Sequence, residues 1–124
     1  MIFDNINGRN MKMNNFIFGL KRAVVKDLKD SDSLNKVTLN LIDEDLEIKN
    51  VPVMASFAGK DYGSVCIPSV GDEVLVGFLG GEISRPVILG SLYNESNKPP
   101  IVINDKNEII MGLLPGKFKV EYNR

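Results

Sequence analysis

Histidine is absent from the 124 residues, and so is tryptophan, while cysteine occurs once, at Cys66. The missing histidines remove the commonest general base, the commonest metal ligand and the side chain that titrates near neutrality. A single cysteine forms no intrachain disulfide and no thiolate metal cluster. Its setting, Ser64-Val65-Cys66-Ile67-Pro68, is a short apolar run that reads as a buried strand, with Cys66 as a small hydrophobe rather than a reactive thiol. Charge of one sign is also missing: 15 Lys and Arg stand against 16 Asp and Glu. A surface that tracks nucleic-acid phosphates needs a basic excess, so no nucleic acid is expected as a partner. No run approaches the ~20 apolar residues that span a bilayer. Met1-Ile2-Phe3-Asp4-Asn5 lacks the basic-then-apolar order of a signal peptide, so synthesis in the cytoplasm without one is expected.

What is present is short strands. The first fifteen residues hold Asn5, Asn7, Asn10, Asn14 and Asn15 among Met and Lys, a composition that favours turns and marks a flexible arm over residues 1–15. Regular structure is expected from Phe16-Ile17-Phe18-Gly19-Leu20 through Ala23-Val24-Val25. After a polar loop, Val37, Leu39 and Leu41 alternate strictly with polar residues, as a half-buried strand requires. An acidic loop, Asp43-Glu44-Asp45, leads into an extended stretch from Leu46 to Met54, where Pro52 suits an edge or a bulge. Ala58-Gly59-Lys60-Asp61-Tyr62-Gly63 reads as a glycine-bracketed loop, Val65 to Ile67 as a strand ended by Pro68, and Ser69-Val70-Gly71-Asp72 as a tight turn. The strongest strand is Glu73 to Leu79. Its Val74, Val76 and Phe78 share one face and Leu75 and Leu79 the other, so both faces are expected to be covered. A Gly80-Gly81-Glu82 turn returns it as Pro86 to Tyr93. Strands of this length at this spacing, with no lasting helical period, indicate an all-β sandwich or small barrel.

The adjacent Pro99 and Pro100 set a boundary, giving a barrel over 16–97 and an extension over 98–124. In that extension, Glu108 to Gly112 and Lys117 to Tyr122 are two further extended runs, and Phe118, Val120 and Tyr122 share a face. A lone hairpin is marginal in water, so this face must find cover on the barrel or on other chains.

Chemistry is hard to assemble. The acidic cluster Asp43, Glu44, Asp45 and Glu47 lacks the glycine of a calcium loop and reads as a solvated face. Gly77, Gly80, Gly81 and Gly90 have neither the lysine nor the helix of a phosphate cradle. Ser64, Ser69 and Ser91 have no base to activate them. No catalytic residue, metal site or cofactor is expected, and the chain reads as a non-enzyme. Tyr62, beside Lys60, is the one plausible stacking residue. It supports the alternative reading, a binding module for single-stranded nucleic acid or glycan.

Two segments carry a resemblance. Gly63 to Phe78 contains Pro68, Gly71, Asp72, Glu73, Val74 and Phe78 in the order P-x-x-G-D-E-V-L-V-x-F. Gly80 to Asn94 contains Pro86, Gly90, Ser91 and Tyr93 in the order G-x-x-x-x-P-V-x-L-G-S-L-Y-N. Together, with Pro99-Pro100 as exit, they resemble the OB-fold domain of phage baseplate assembly protein V and of VgrG-type spikes of type VI secretion. The resemblance implies a small OB-fold-like five-stranded barrel followed by a short C-terminal β extension. It also implies a homotrimer whose extensions wind into a β-helical spike, buried through Ile109, Met111, Phe118, Val120 and Tyr122. A hub protein above, either a separate tip protein or a blunt short spike below, and a target cell envelope are what the resemblance implies. The implied place is the baseplate of a phage-like particle, whether phage tail, bacteriocin or type VI-like machine.

Overall fold

The computed structural model describes residues 16, 17, 19–29 and 34–100, together with the backbone of Ile109–Leu113 and Lys119–Tyr122. The residues read as an N-terminal arm, and Phe18 and Phe118, lie outside the described residues. The chain divides into two compact units, Met1–Leu92 and Tyr93–Arg124.

The first unit is a five-stranded antiparallel sheet. Strands β1 (Lys21–Asp27), β2 (Val37–Leu41) and β3 (Leu46–Val51) form a meander. Two residue pairs, β4 (Ala58–Gly59) and β5 (Tyr62–Gly63), make a miniature hairpin. Strands β6 (Glu73–Phe78) and β7 (Pro86–Leu92) complete the sheet in the order β3-β2-β1-β6-β7. The two outer strands do not remain apart. Directly after β3, Val53 forms a parallel bridge with Ile88 of β7. The Ile88 N–H donates to the Pro52 carbonyl at 2.9 Å, and the Met54 N–H donates to the Ile88 carbonyl at 2.9 Å. Pro52 therefore serves the link through its carbonyl, the one backbone polar group it retains. Through this link the sheet curls back on itself.

Side-chain alternation places the core. Val37, Leu39 and Leu41 are all buried, as their period of two requires, and so are Ala23, Val25, Val51, Val74, Val76 and Ile88. Ile48, Val53, Ile67 and Phe78 pack around this cluster. The second face of β6 is covered at one point: Gly77 is buried beneath Leu89 and Leu20, whose methyl groups leave 3.3 Å and 3.5 Å for a Cβ there. Leu75 is half-buried.

Several sequence expectations need correction. Leu79 does not continue β6. It opens a 3-10 turn, Leu79–Gly81, and is exposed, because Gly80 and Gly81 adopt φ of +63° and +76° and turn the chain out of the sheet. Regular structure begins at Lys21 rather than Phe16. Upstream, Phe16 contributes an isolated bridge to Glu82, and Gly19 breaks the extension at φ +75°. Ser64 to Pro68 is not a buried strand. Val65 and Cys66 are exposed, Ser64 and Ile67 are half-buried, and Pro68 alone of the run is buried. The run is apolar enough for a strand, but every ladder position beside β6 is already taken by β1 and β7.

In the second unit, β8 (Ile109–Leu113) pairs antiparallel with β9 (Lys119–Tyr122). Ile109 faces Tyr122 in the register and Gly112 faces Val120, with an irregularity between Ile110 and Gly112 that leaves Met111 as the extra residue. The unit opens on a turn at Asn94, whose Oδ1 accepts the N–H groups of Ser96 (3.0 Å) and Asn97 (2.7 Å).

Candidate functional site

The family-motif residues concentrate on the β6–β7 hairpin and the turn before it. In Ser69–Asp72 the Asp72 N–H donates to the Ser69 carbonyl at 3.0 Å, and Asp72 Oδ2 accepts the Ser69 N–H at 2.9 Å. Gly71 takes φ +95°, the left-handed region where a side chain is strained. The turn is tied to β1 twice, by Gly71 N–H to the Val25 carbonyl and Val25 N–H to the Asp72 carbonyl, both 2.9 Å. Pro68 is buried at its entrance, and Val74 at its exit enters the core. Phe78 and Pro86 face one another across the ladder. Gly90 and Ser91 pair with Leu75 and Val74 in the same ladder but are exposed, as is Tyr93. These residues build a frame rather than a pocket.

Glu73 is the one carboxylate buried among the described residues. Its Oε2 lies 3.6 Å from Arg22 Nη1 on β1, and Arg22 Nη2 reaches Asp43 at 3.9 Å. The acidic loop Asp43-Glu44-Asp45 thus has a structural task. Lys21 Nζ meets Glu44 at 2.7 Å, Lys26 bonds Glu47, and Asn40 Nδ2 donates to Asp45 Oδ1 at 2.9 Å. The hydrogen bond to Glu44, with its charge, raises the Lys21 pKa above its ordinary value. The same hydrogen bond holds Glu44 below the usual carboxylate range. Lys26 is raised and Glu47 lowered by their shared hydrogen bond and charge in the same way. The cations of β1 are therefore neutralised along the strand, and they offer no basic stripe to a phosphate backbone.

Tyr62, singled out as a stacking candidate, stands on the β4–β5 hairpin instead of in a loop. Its ring lies directly over Gly59, where any side chain would collide with it. The ring centroid of Phe57 is 6.4 Å away, tilted by 32°. The Ser64 N–H donates to the Phe57 carbonyl at 3.1 Å, and Asp61 turns the hairpin at φ +64°. Both aromatic rings are exposed. Beside them runs an open groove of about 680 Å3, whose apolar lining includes Leu34, Met54, Val65 and Cys66. Sequence reading did not bring Phe57, Met54, Leu34 and Val65 together, because they come from three separate segments. The glycines bracketing Tyr62 were the one legible signal.

Of the residues read as a trimer interface, Ile109, Met111, Val120 and Tyr122 fall on β8 and β9. No helix among the described residues is long and apolar enough to cross a membrane.

A curled five-stranded antiparallel sheet with its proline-glycine turn locked onto the first strand is consistent with an OB-fold domain. The family described as the type VI secretion system/phage-baseplate injector OB domain matches residues 21–93, more than half of the chain, and the chain belongs to that family. Among curated relatives, the type VI secretion system spike protein VgrG5 of Pseudomonas aeruginosa is 50% identical over 48 residues, 39% of this chain and 6% of that protein. The spike protein VgrG3 of Vibrio cholerae is 44% identical over 55 residues, 44% of this chain and 5% of the relative. A Vibrio cholerae protein named actin cross-linking toxin VgrG1 is 42% identical over 53 residues, again 5% of its length. The chain spans about a twentieth of the length of these relatives. The similarity therefore concerns the OB domain, which is structural, and an injection apparatus is the assembly in which such domains occur.

Proposed function

We propose that the chain is a structural component of the central spike or baseplate of a contractile injection particle, where it helps to puncture the target envelope. The observation that carries this reading is the family match over 21–93, which covers the whole barrel sheet including the turn and hairpin built from the motif residues. In this role the barrel is a stiff adaptor. Its ladder bonds and buried aliphatic core resist axial load, and neither a cofactor nor a catalytic group is needed. The extension supplies the oligomeric element: three copies of residues 98–124 cover one another's apolar side chains at Ile109, Met111, Phe118, Val120 and Tyr122. Stacked β structures bury their faces in this way, and three-fold closure leaves no open edge for further strands. A hub sits above the trimer and a separate tip below.

The test is the mass of the full chain in solution by light scattering. A mass of about 41 kDa, three times the 13.7 kDa of one chain, is expected. A monomer at every concentration, together with its absence from baseplates of purified particles, would overturn the reading.

A further inference from the structure

The seam that curls the sheet into a barrel is a single bridge, and the residues beside it keep it from growing. Among the described residues, β7 exchanges two backbone hydrogen bonds with the chain after β3, from the Ile88 N–H to Pro52 and from the Met54 N–H to Ile88. A parallel ladder extended toward the start of both strands next needs the Pro52 N–H on the Pro86 carbonyl, then the Pro86 N–H on the Asn50 carbonyl. Proline supplies neither donor. In the other direction the next bond would run from the Gly90 N–H to the Met54 carbonyl. There Leu89 is the extra residue of a bulge, between the Gly90–Leu75 and Ile88–Val76 pairs, and it breaks the alternation that aims Ile88 at Val53. The other ladders of this sheet each run over at least four residue pairs.

The same two bonds hold a larger piece. Residues 52–67 leave β3 after Val51, which is fixed opposite Val37, and return at Pro68, which is buried before the Ser69–Asp72 turn. Within this stretch the β4–β5 ladder and the Ser64–Phe57 bond are internal. Among the described residues, the two bonds to Ile88 are the only hydrogen bonds that join it to the rest of the barrel, and no ion pair does. Two of its side chains pack on the core, Val53 near one end and Ile67 near the other, and both are half-buried. Met54, Phe57, Tyr62 and Val65 are exposed, and the groove of about 680 Å3 lies between the stretch and Leu34-Asn35. We infer that residues 52–67 are a hinged flap that opens as one unit by release of the Ile88 clasp, while the five-stranded sheet stays paired. A segment held by few buried contacts and few hydrogen bonds opens at a free energy below that of global unfolding. Opening uncovers Ile88 and the outer edge of β7, whereas β2, β1 and β6 keep both neighbours. The flap gives an otherwise stiff barrel one part that moves, and a neighbour seated against it shifts its position by differential affinity for the two states. The inference concerns the barrel alone and stands whether or not the chain belongs to a spike.

Val25 supplies the internal reference. It is as buried as Ile88, at 1% exposure each, and its N–H also donates at 2.9 Å, to Asp72 outside the flap. The experiment is native-state amide hydrogen exchange on the full chain, read by NMR in rising, sub-denaturing urea. After correction for intrinsic rates, the Ile88 and Met54 amides are expected to exchange at least about ten-fold faster than Val25. Their rates should be nearly independent of urea, because opening the flap exposes little surface, whereas that of Val25 should rise with it. Ile67→Ala, at the opposite end of the flap from the clasp, should speed exchange at Ile88 and Met54 by about ten-fold. Ile67→Val, which removes one methyl group, is the second variant and should speed it by about two-fold. Ile88 and Met54 protected as well as Val25 would overturn the flap. So would fast exchange at both amides that neither variant changes, since the clasp would then fray without the hairpin. The mass of the assembly enters none of these outcomes, so the spike reading stands or falls separately.

Discussion

Leu39→Ala is the substitution that most directly probes how the barrel is held together. Leu39 is fully buried at the middle of β2, opposite Val25 on β1 and Ile48 on β3, with two neighbouring strands fixing its position. The surrounding strands are locked by ladders on both sides, so the space left by the missing carbons cannot collapse. Truncations of this kind cost about 2–5 kcal/mol, and the rigid surroundings place Leu39 near the middle of that range, at ~3 kcal/mol. A domain of this size is stable by about 5–15 kcal/mol, so the loss is a large fraction of the whole. Each kcal/mol shifts the melting temperature of such a domain by about 4–8 °C, so a fall of ~12–24 °C is expected. The assay is thermal unfolding of the full chain by far-UV circular dichroism, at a fixed concentration so that association contributes equally. Val65→Ala, an exposed apolar truncation, is the control, and its effect on the dissociated chain should lie within about 0.5 kcal/mol. A Leu39→Ala protein melting within ~5 °C of the wild type would refute the placement of β2 at the centre of the core.

Two glycines of the family motif should part company. Gly71→Ala forces a side chain into φ +95° and should cost about 1–2 kcal/mol in urea unfolding. Gly90→Ala, with no atom within 4 Å and no positive φ, should be neutral or stabilise by about 0.4–1 kcal/mol. Equal losses at both positions would show that φ is not what selects them. The β1 ion pairs contribute to the pH response. Glu44 and Glu47 titrate below their ordinary 4.5, so their contribution is present above that value and lost as pH falls beneath it through the folded-state pKa. Lys21 and Lys26 titrate above 10.5, so theirs is present below that value and lost as pH rises beyond it. Unfolding followed from pH 3 to 11 should show a plateau between those limits. Glu44→Gln with Glu47→Gln should flatten the acid limb, and an unchanged limb would show that other carboxylates govern it.

The parts of the fold legible in the residues are those governed by neighbours in the chain. Val37, Leu39 and Leu41 alternate because successive side chains of a strand point to opposite faces, so a buried face writes its period into the sequence. The Ser69–Asp72 turn was legible because a left-handed φ calls for glycine, and because aspartate can bond the backbone of its own turn. The order of motif residues from Pro68 to Tyr93 was similarly local, and it carried the family. The exposed apolar face around the β4–β5 hairpin was only half legible. The glycines around Tyr62 marked a turn, but nothing in the spacing said that Leu34, Met54, Phe57 and Val65 would gather beside it.

What the sequence by itself determined, then, is an all-β chain of short strands without the side chains for catalysis by histidine or thiolate clusters, bearing the strand-turn-strand pattern of an injector OB domain. Only the tertiary structure decided which apolar runs become strands and which are left over. Val65-Cys66-Ile67 has the composition of a strand, yet β1 and β7 already occupy both edges of β6, and so among the described residues the segment joins no ladder and leaves Val65 and Cys66 exposed. Conversely, Pro52 suits an edge or a bulge by sequence, yet its carbonyl accepts the Ile88 N–H while the Met54 N–H donates to the Ile88 carbonyl, and the segment links the two ends of the sheet. Pairing is decided between residues far apart in the chain, whereas composition and period report on residues close together. For that reason the elements could be read from the sequence, and the surface they leave exposed could not.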